Sequence, residues 1–185
     1  NGEGKSTFLK LLAGLISADD GDLKIQNTTT ISYLEQQPPE DNSDTLFNIV
    51  AHGLGDTGKI LASYHDALKE GNESKSSRLQ EQIESKDLWH YLHKIDTILN
   101  RFQLKSDTQL STPSGGWKRR VMLAKAIIQE PDILLLDEPT NHMDITAILD
   151  LEKMLKDFHG TLLLISHDRS FVKGIVNKIF DLDRG

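Results

Sequence analysis

Apolar positions along this chain follow two rhythms. Ile133–Leu136 and Leu162–Ile165 are short unbroken apolar runs, the pattern of strands covered on both faces in a parallel sheet. Phe8-Leu9-Lys10-Leu11-Leu12, closed by Ala13-Gly14, reads instead as an amphipathic helix. Leu46–Ala51 begins a second helix, and Gly53, Gly55 and Gly58 interrupt regularity before a further helical segment near Lys59–Lys69. Gly71-Asn72-Glu73-Ser74 makes a turn before Lys75–Phe102. There Leu79 and Ile83 lie four apart, and Leu88, Leu92, Ile95, Leu99 and Phe102 recur at helical spacing. Charged residues fill the other face, so the segment is an amphipathic helical pair whose stripe is core rather than ligand pocket. Asp19-Asp20-Gly21-Asp22 is a turn before strand candidates around Leu23–Ile25 and Thr30–Leu34, and Pro38-Pro39 marks an exit into a more polar region.

Composition narrows the class. At 185 residues, with 37% hydrophobic and 26% charged residues, the chain fits one soluble domain with a helical insertion. No apolar run approaches the roughly 20 residues of a membrane span. No cysteine is present, which excludes disulfides and thiolate catalysis. The net charge of −7 disfavours indiscriminate nucleic-acid binding. Lys118, Arg119, Arg120 and Lys125 form a local basic patch, readable as a solvated helical face or as a phosphate-binding surface.

Chemistry begins at the first residues. Asn1-Gly2-Glu3-Gly4-Lys5-Ser6-Thr7 matches the latter part of G-x-x-x-x-G-K-S/T. The first glycine of that pattern and the strand feeding it would precede Asn1, so the domain is expected to be incomplete at this end. Glycine lets the backbone approach a phosphate, and the following helix offers free N–H groups. Lys5 would reach the β- and γ-phosphates and Ser6 would offer its hydroxyl to magnesium. Alone, such a string is matched by any turn before a helix.

A strand end of the right kind supports it. Ile133–Leu136 leads into Asp137-Glu138-Pro139, at the strand end where α/β sheets place ligand-binding groups. Asp137 can support magnesium, and Glu138 can polarise a water that attacks the γ-phosphate. In isolation the same stretch would be a turn or a cap. Thr161–Ile165 ends in Ser166-His167-Asp168. His167 can bond the γ-phosphate or hold the water and Glu138 in register, while Ser166 or Asp168 can cap the helix running through Phe171 and Val172.

Ser114-Gly115-Gly116-Trp117-Lys118-Arg119-Arg120, with Val121-Met122-Leu123-Ala124-Lys125-Ala126 after it, resembles the signature motif of ABC ATPases. With Leu135-Leu136-Asp137-Glu138-Pro139-Thr140-Asn141-His142-Met143-Asp144, the resemblance narrows to the ABC-F group, paired ATPase domains without membrane spans, many of which act at the ribosome. Trp117, His167-Asp168-Arg169-Ser170-Phe171 and Asp181-Leu182-Asp183-Arg184-Gly185 are most similar to the first ATP-binding domain of its Uup-type members. The resemblance implies an α/β fold: an ABC-type P-loop ATPase with a central mostly parallel sheet, a small antiparallel β portion in residues 17–36, and a helical subdomain with a short arm. It implies one domain over 1–185, divided into a phosphate-loop core with antiparallel strands (1–36), a helical subdomain and arm (37–112), and the signature helix with the rest of the catalytic core (113–185).

The resemblance also assigns roles. Asn1, Gly2, Gly4, Lys5, Ser6 and Thr7 would hold ATP, with Ser6, Gln36 and Asp137 at Mg2+. Glu138, His167 and the Q-loop match Gln36 would organise hydrolysis; on residues alone, Gln36 is a turn residue before Pro38. Ser114, Gly115 and Gly116 would contact the γ-phosphate held by a facing ATPase domain, expected in the same longer chain. Asp144 matches the aspartate coupling two facing sites, and it also fits a helix N-cap. Glu3, Pro113 and Trp117 depart from the usual pattern, and the adenine-stacking aromatic would lie before Asn1. A cytoplasmic ATPase acting with ribosome and RNA is the implied function. Structured-DNA processing, a transporter ATPase subunit or a regulatory module with little turnover are the alternatives. Residues 69–105 carry seven Lys/Arg against six Asp/Glu, so the helical pair has no basic block that would by itself mark RNA contact.

Overall fold

The run Ile133–Asp137 forms β2, the central strand of a three-stranded sheet with β1 (Ile31–Leu34) and β3 (Thr161–Ile165) in the order β1-β2-β3. The structure, a computed structural model, describes residues 4–34, 44–109, 115–141 and 143–181. They fall into two compact units, 1–38 with 130–185 and 39–129. Both ladders of the sheet are parallel: Ile31 pairs with Ile133 and Leu34 with Leu136, while Ile133 pairs with Thr161 and Asp137 with Ile165. Leu134, Leu135 and Leu136 are wholly buried, which explains why β2 is apolar at consecutive rather than alternate positions.

Ile31–Leu34 corrects the expected antiparallel portion. The strand near Thr30–Leu34 exists, but it runs parallel to β2, and Leu23–Ile25 forms no strand. Among the described residues the sheet has no antiparallel ladder; the antiparallel pairing seen is an isolated bridge, Thr45 with Gln109. A local clasp sets the register of β1. Asp132, just before β2, accepts hydrogen bonds from the Thr30 backbone N–H (2.8 Å) and hydroxyl (2.9 Å), and its own N–H donates to the Thr30 hydroxyl (3.0 Å).

Those two donors, the backbone N–H first, hold the Asp132 carboxyl below the usual carboxylate range. A carboxylate with a depressed folded value binds fewer protons folded than unfolded, so its stabilisation is present above the unfolded value near 3.9 and disappears as pH falls through the folded one. Asp132→Asn is therefore expected to lower stability at neutral pH and to flatten the acid limb of the curve below about pH 4. Urea titrations of both proteins from pH 2 to 7 check this; parallel curves would contradict it.

Before β1, α1 (Lys5–Leu12) packs against β2 through buried Leu9. After β2, α7 (Ile145–Lys156) buries Ala147, Leu151, Met154 and Leu155. After β3, α8 (Arg169–Ile175) buries Phe171 and packs on α7. Asp144 caps α7, accepting from the Ala147 N–H at 2.8 Å. Asp168 caps α8 by accepting from Ser170 and Phe171 N–H at 2.9 and 3.1 Å. Each occupies the extended N-cap conformation in which a short side chain turns back onto the first free N–H groups.

The second unit is helical: α2 (Leu46–Ala51), a 3-10 turn (His52–Leu54), α3 (Asp56–Lys69), α4 (Glu73–Ser85), α5 (Trp89–Arg101) and α6 (Gly115–Ile127). All six residues of α2 are buried, and α2 packs against α3, α5 and α6. Most of the helical stripe is core: Ile83, Leu88, Ile95, Leu99 and Phe102 are buried, while Leu79 and Leu92 are half-buried. Asp87, at a positive φ of 53°, turns the chain between α4 and α5. The basic patch on α6 is not a uniformly solvated face. Arg119 is buried and Lys118, Arg120 and Lys125 are half-buried, on a helix that packs against α2.

Gly58 permits the tight approach of α3 to the end of α2. A Cβ there would collide with the Ala51 carbonyl group and the His52 backbone nitrogen, which are main-chain atoms with nowhere to go. Gly58→Ala should destabilise the protein by about 1–3 kcal/mol, read as a lower urea midpoint. An unchanged midpoint would show that α2 and α3 do not meet in this way.

Among the described residues, no helix is long and apolar enough to cross a membrane.

Candidate active site

The phosphate loop enters α1 through Gly4, whose φ of 77° and ψ of 3° lie in the left-handed region. Only glycine adopts that conformation without strain. No side chain caps the first turn of α1 and no acidic residue sits in it. The helix end thus offers N–H groups and positive potential to an anion. Lys5, Ser6 and Thr7 form that first turn, Lys5 and Ser6 half-buried and Thr7 exposed.

β2 delivers two carboxylates in succession. Asp137 is its last residue and is buried, and Tyr33 of β1 donates a long hydrogen bond of 3.4 Å from its hydroxyl to Asp137 Oδ2. Glu138 then leaves the strand with φ of 46°, an uncommon conformation for a residue bearing a Cβ. Its N–H still donates to the Ile165 carbonyl at 2.9 Å, so the ladder continues one residue beyond the strand. The reversed backbone turns the carboxylate toward the end of β3. There the His167 N–H donates to Glu138 Oε2 at 3.3 Å, and His167 Nε2 lies 3.2 Å from Glu138 Oε1.

The two partners differ in exposure, and the difference matters chemically. The Glu138 side chain is 10% exposed and His167 is 68% exposed. Glu138 is therefore a carboxylate fixed by the ends of two strands, with an imidazole open to solvent beside it. The loops that carry them are braced: Thr140 and Ser166 hydroxyls are 3.3 Å apart, and Ser166 Oγ accepts from the Asp168 N–H at 3.1 Å. Strain in a sparsely populated conformation costs about 1–3 kcal/mol and persists only where neighbours over-determine it.

The structure thus brings Asp137, Glu138 and His167 together at one end of the sheet, and α1, with Lys5, Ser6 and Thr7, packs on the same strand β2. Gly115 and Gly116 open α6 in the helical unit. Asp144 is a helix cap at 2.8 Å. Asn1, Gly2, Gln36 and Ser114 lie outside the described residues, as do Glu3, Pro113 and His142. Tyr33 and Thr140 carry no role expected from the sequence, and of the two expected cap candidates Asp168 caps α8 while Ser166 instead accepts from the Asp168 N–H.

The donor chemistry fits magnesium. The Ser6 hydroxyl and Asp137 carboxylate are hard oxygen donors. That suits a cation that keeps several waters and takes its remaining ligands from phosphate.

Comparison with known proteins places the chain in a family. The ABC transporter family matches residues 1–141. The chain is 42% identical to the ATP-binding protein Uup of Haemophilus influenzae, across its whole length and 30% of that protein. It is 34% identical to the energy-dependent translational throttle protein EttA of Mycobacterium tuberculosis, across its whole length and 35% of that one. It thus spans about a third of these relatives. Among solved structures, the archaeal ribosome recycling factor aABCE1, in complex with the ribosomal stalk protein aP1, superposes with a TM-score of 0.64 over 95% of this chain and 29% of that one. At 24% identity that likeness shows the fold alone. The chain belongs to the ABC family of ATPases, in its ABC-F group, and is closely related to Uup and EttA.

Proposed function

We propose that this chain is one ATPase domain of a larger ABC-F protein that hydrolyses Mg-ATP and uses the nucleotide state to control binding to the ribosome. The observation that carries the hydrolytic part is Glu138, a buried carboxylate held by both β2 and β3 and turned toward exposed His167. In this reading Lys5 and the N–H groups of α1 bind the β- and γ-phosphates. Ser6, Asp137 and Gln36 would hold Mg2+, which spreads the negative charge of the phosphates when bound. Glu138 orients the attacking water and takes up its proton as the new P–O bond forms. The bond to the β-phosphate oxygen breaks in line, and ADP leaves. His167 and Gln36 hold the water and γ-phosphate in register, so the gain comes from positioning and preset electrostatics.

Ser114, Gly115 and Gly116 would complete the nucleotide site of a facing domain, with Asp144 linking the two. Ile145 and Leu149, one turn apart on α7 directly after Asp144, are 78% and 59% exposed. An apolar pair of that kind suits coverage by a second domain. The helical unit would supply the short arm and its RNA contact. At the start of α5, Trp89 is exposed, His90 and Tyr91 rings lie 4.0 Å apart, and Lys94 sits over Tyr91 at 5.9 Å. Aromatic faces beside a cation are the chemistry that stacks on unpaired bases. One relative's name, EttA, supports the ribosomal direction through translation. The cytoplasm follows as the place of action.

The test is ATP turnover by the full-length protein with added ribosomes or structured DNA. Stimulation by ribosomes and not by DNA is the expected result. Stimulation by DNA alone would move the function to genome maintenance.

A further inference from the structure

The segment leading toward the signature motif is gripped from one helix. Leu104 is buried, and the chain after it lies in no helix. Instead it is stitched to the start of α2: Leu46 N–H donates to Thr108 O at 2.9 Å, Phe47 N–H to Ser106 O at 3.1 Å, and Thr45 bridges Gln109. α6, which opens with Gly115 and Gly116 of the motif, packs along α2. The same buried six-residue helix therefore holds the chain on both sides of residues 110–114.

α3 in turn grips α2. His65 stacks on Phe47 with ring centroids 4.1 Å apart and planes at 13°. Asn48 Nδ2 donates to both carboxylate oxygens of Asp66, at 2.9 and 3.1 Å. One turn further along α3, Lys69 reaches past α2 and pairs with Asp107 at 2.9 Å, with His65 Nε2 3.7 Å from the same oxygen. α3 also packs along α4. It thus touches both α4 and, through Lys69, the segment 105–109.

We propose that the Lys69–Asp107 ion pair positions the signature motif, fixing to α3 the segment that precedes it. The proposal rests on the reading of Gly115 and Gly116 as closing a partner's nucleotide site. Lys69 and Asp107 are positioning residues; neither touches nucleotide. Their side chains are 43% and 65% exposed, so the pair contributes little to stability, and its effect on closure is separable from folding. A smaller fraction of closure-competent molecules weakens apparent nucleotide affinity by that fraction and leaves the rate of the closed complex unaltered.

The test measures KM for ATP, kcat and thermal midpoint in the full-length protein carrying Asp107→Asn, Lys69→Gln, Lys69→Arg, or the swap Lys69→Asp with Asp107→Lys. Either neutralising variant should raise KM about three- to fivefold, the range an exposed pair can supply, with kcat and midpoint little changed. Lys69→Arg and the swap should restore KM. Unchanged KM in the neutralised variants overturns the proposal, as does a joint fall in kcat and midpoint that neither Lys69→Arg nor the swap repairs. Gly116→Asp in the same assay separates the two levels. If it abolishes turnover while the pair variants are silent, only the positioning role fails. If Gly116→Asp is itself silent, the signature reading fails and the proposal with it.

Discussion

Replacing Glu138 by Gln in the full-length protein should reduce ATP turnover about a thousandfold while ATP binding persists, since a positioned general base contributes about 10²–10⁴ in rate. The amide keeps the shape and still meets the His167 N–H that now contacts Oε2 at 3.3 Å, but it cannot take a proton. Because the interaction is used in the transition state, the loss should fall on kcat and kcat/KM together. A KM increase with unchanged kcat would assign Glu138 to substrate binding instead. His167→Ala serves as a control of intermediate severity, because His167 is the exposed member of the pair and acts on the water and Glu138 rather than as the base.

The second large effect is expected at Lys5. Lys5→Ala removes a cation from the first turn of α1, beside the left-handed Gly4. A hydrogen bond to a charged group is worth about 1.5–3 kcal/mol, so ATP should bind about tenfold to a hundredfold more weakly. Equilibrium titration with a fluorescent ATP analogue checks this in the presence of magnesium. The two substitutions separate cleanly: Glu138→Gln binds ATP and does not turn it over, whereas Lys5→Ala fails at binding. Equal affinity of Lys5→Ala and the parent protein would show that the helix N–H groups hold the phosphates without this side chain.

Much of this arrangement is written locally in the chain. The apolar runs ending in Asp137 and Ile165 announce strands, and the caps Asp144 and Asp168 announce the helices after them, because each depends on neighbours a few residues away. The direction of β1 is different. It is set by Thr30 meeting Asp132, 102 residues distant, and alternation along Ile31–Leu34 cannot tell a parallel partner from an antiparallel one. Burial of Arg119 escaped for a related reason. Its neighbours Lys118 and Arg120 suggest a wet face, while α2, against which α6 packs, is remote in sequence. The left-handed turn at Glu138 was likewise hidden, since nothing in Asp-Glu-Pro favours positive φ at a glutamate. It comes from the tertiary hold of Ile165 and His167.

In the proposed function a hydrolytic site built on Glu138 governs attachment to the ribosome. It is tested most directly by co-sedimentation of the full-length Glu138→Gln protein with ribosomes, in ATP, in ADP and without nucleotide, with structured DNA as competitor. Retention on ribosomes in ATP, release in ADP and no displacement by DNA are the expected results. Equal sedimentation in all three nucleotide states, or capture by DNA in place of ribosomes, would contradict it.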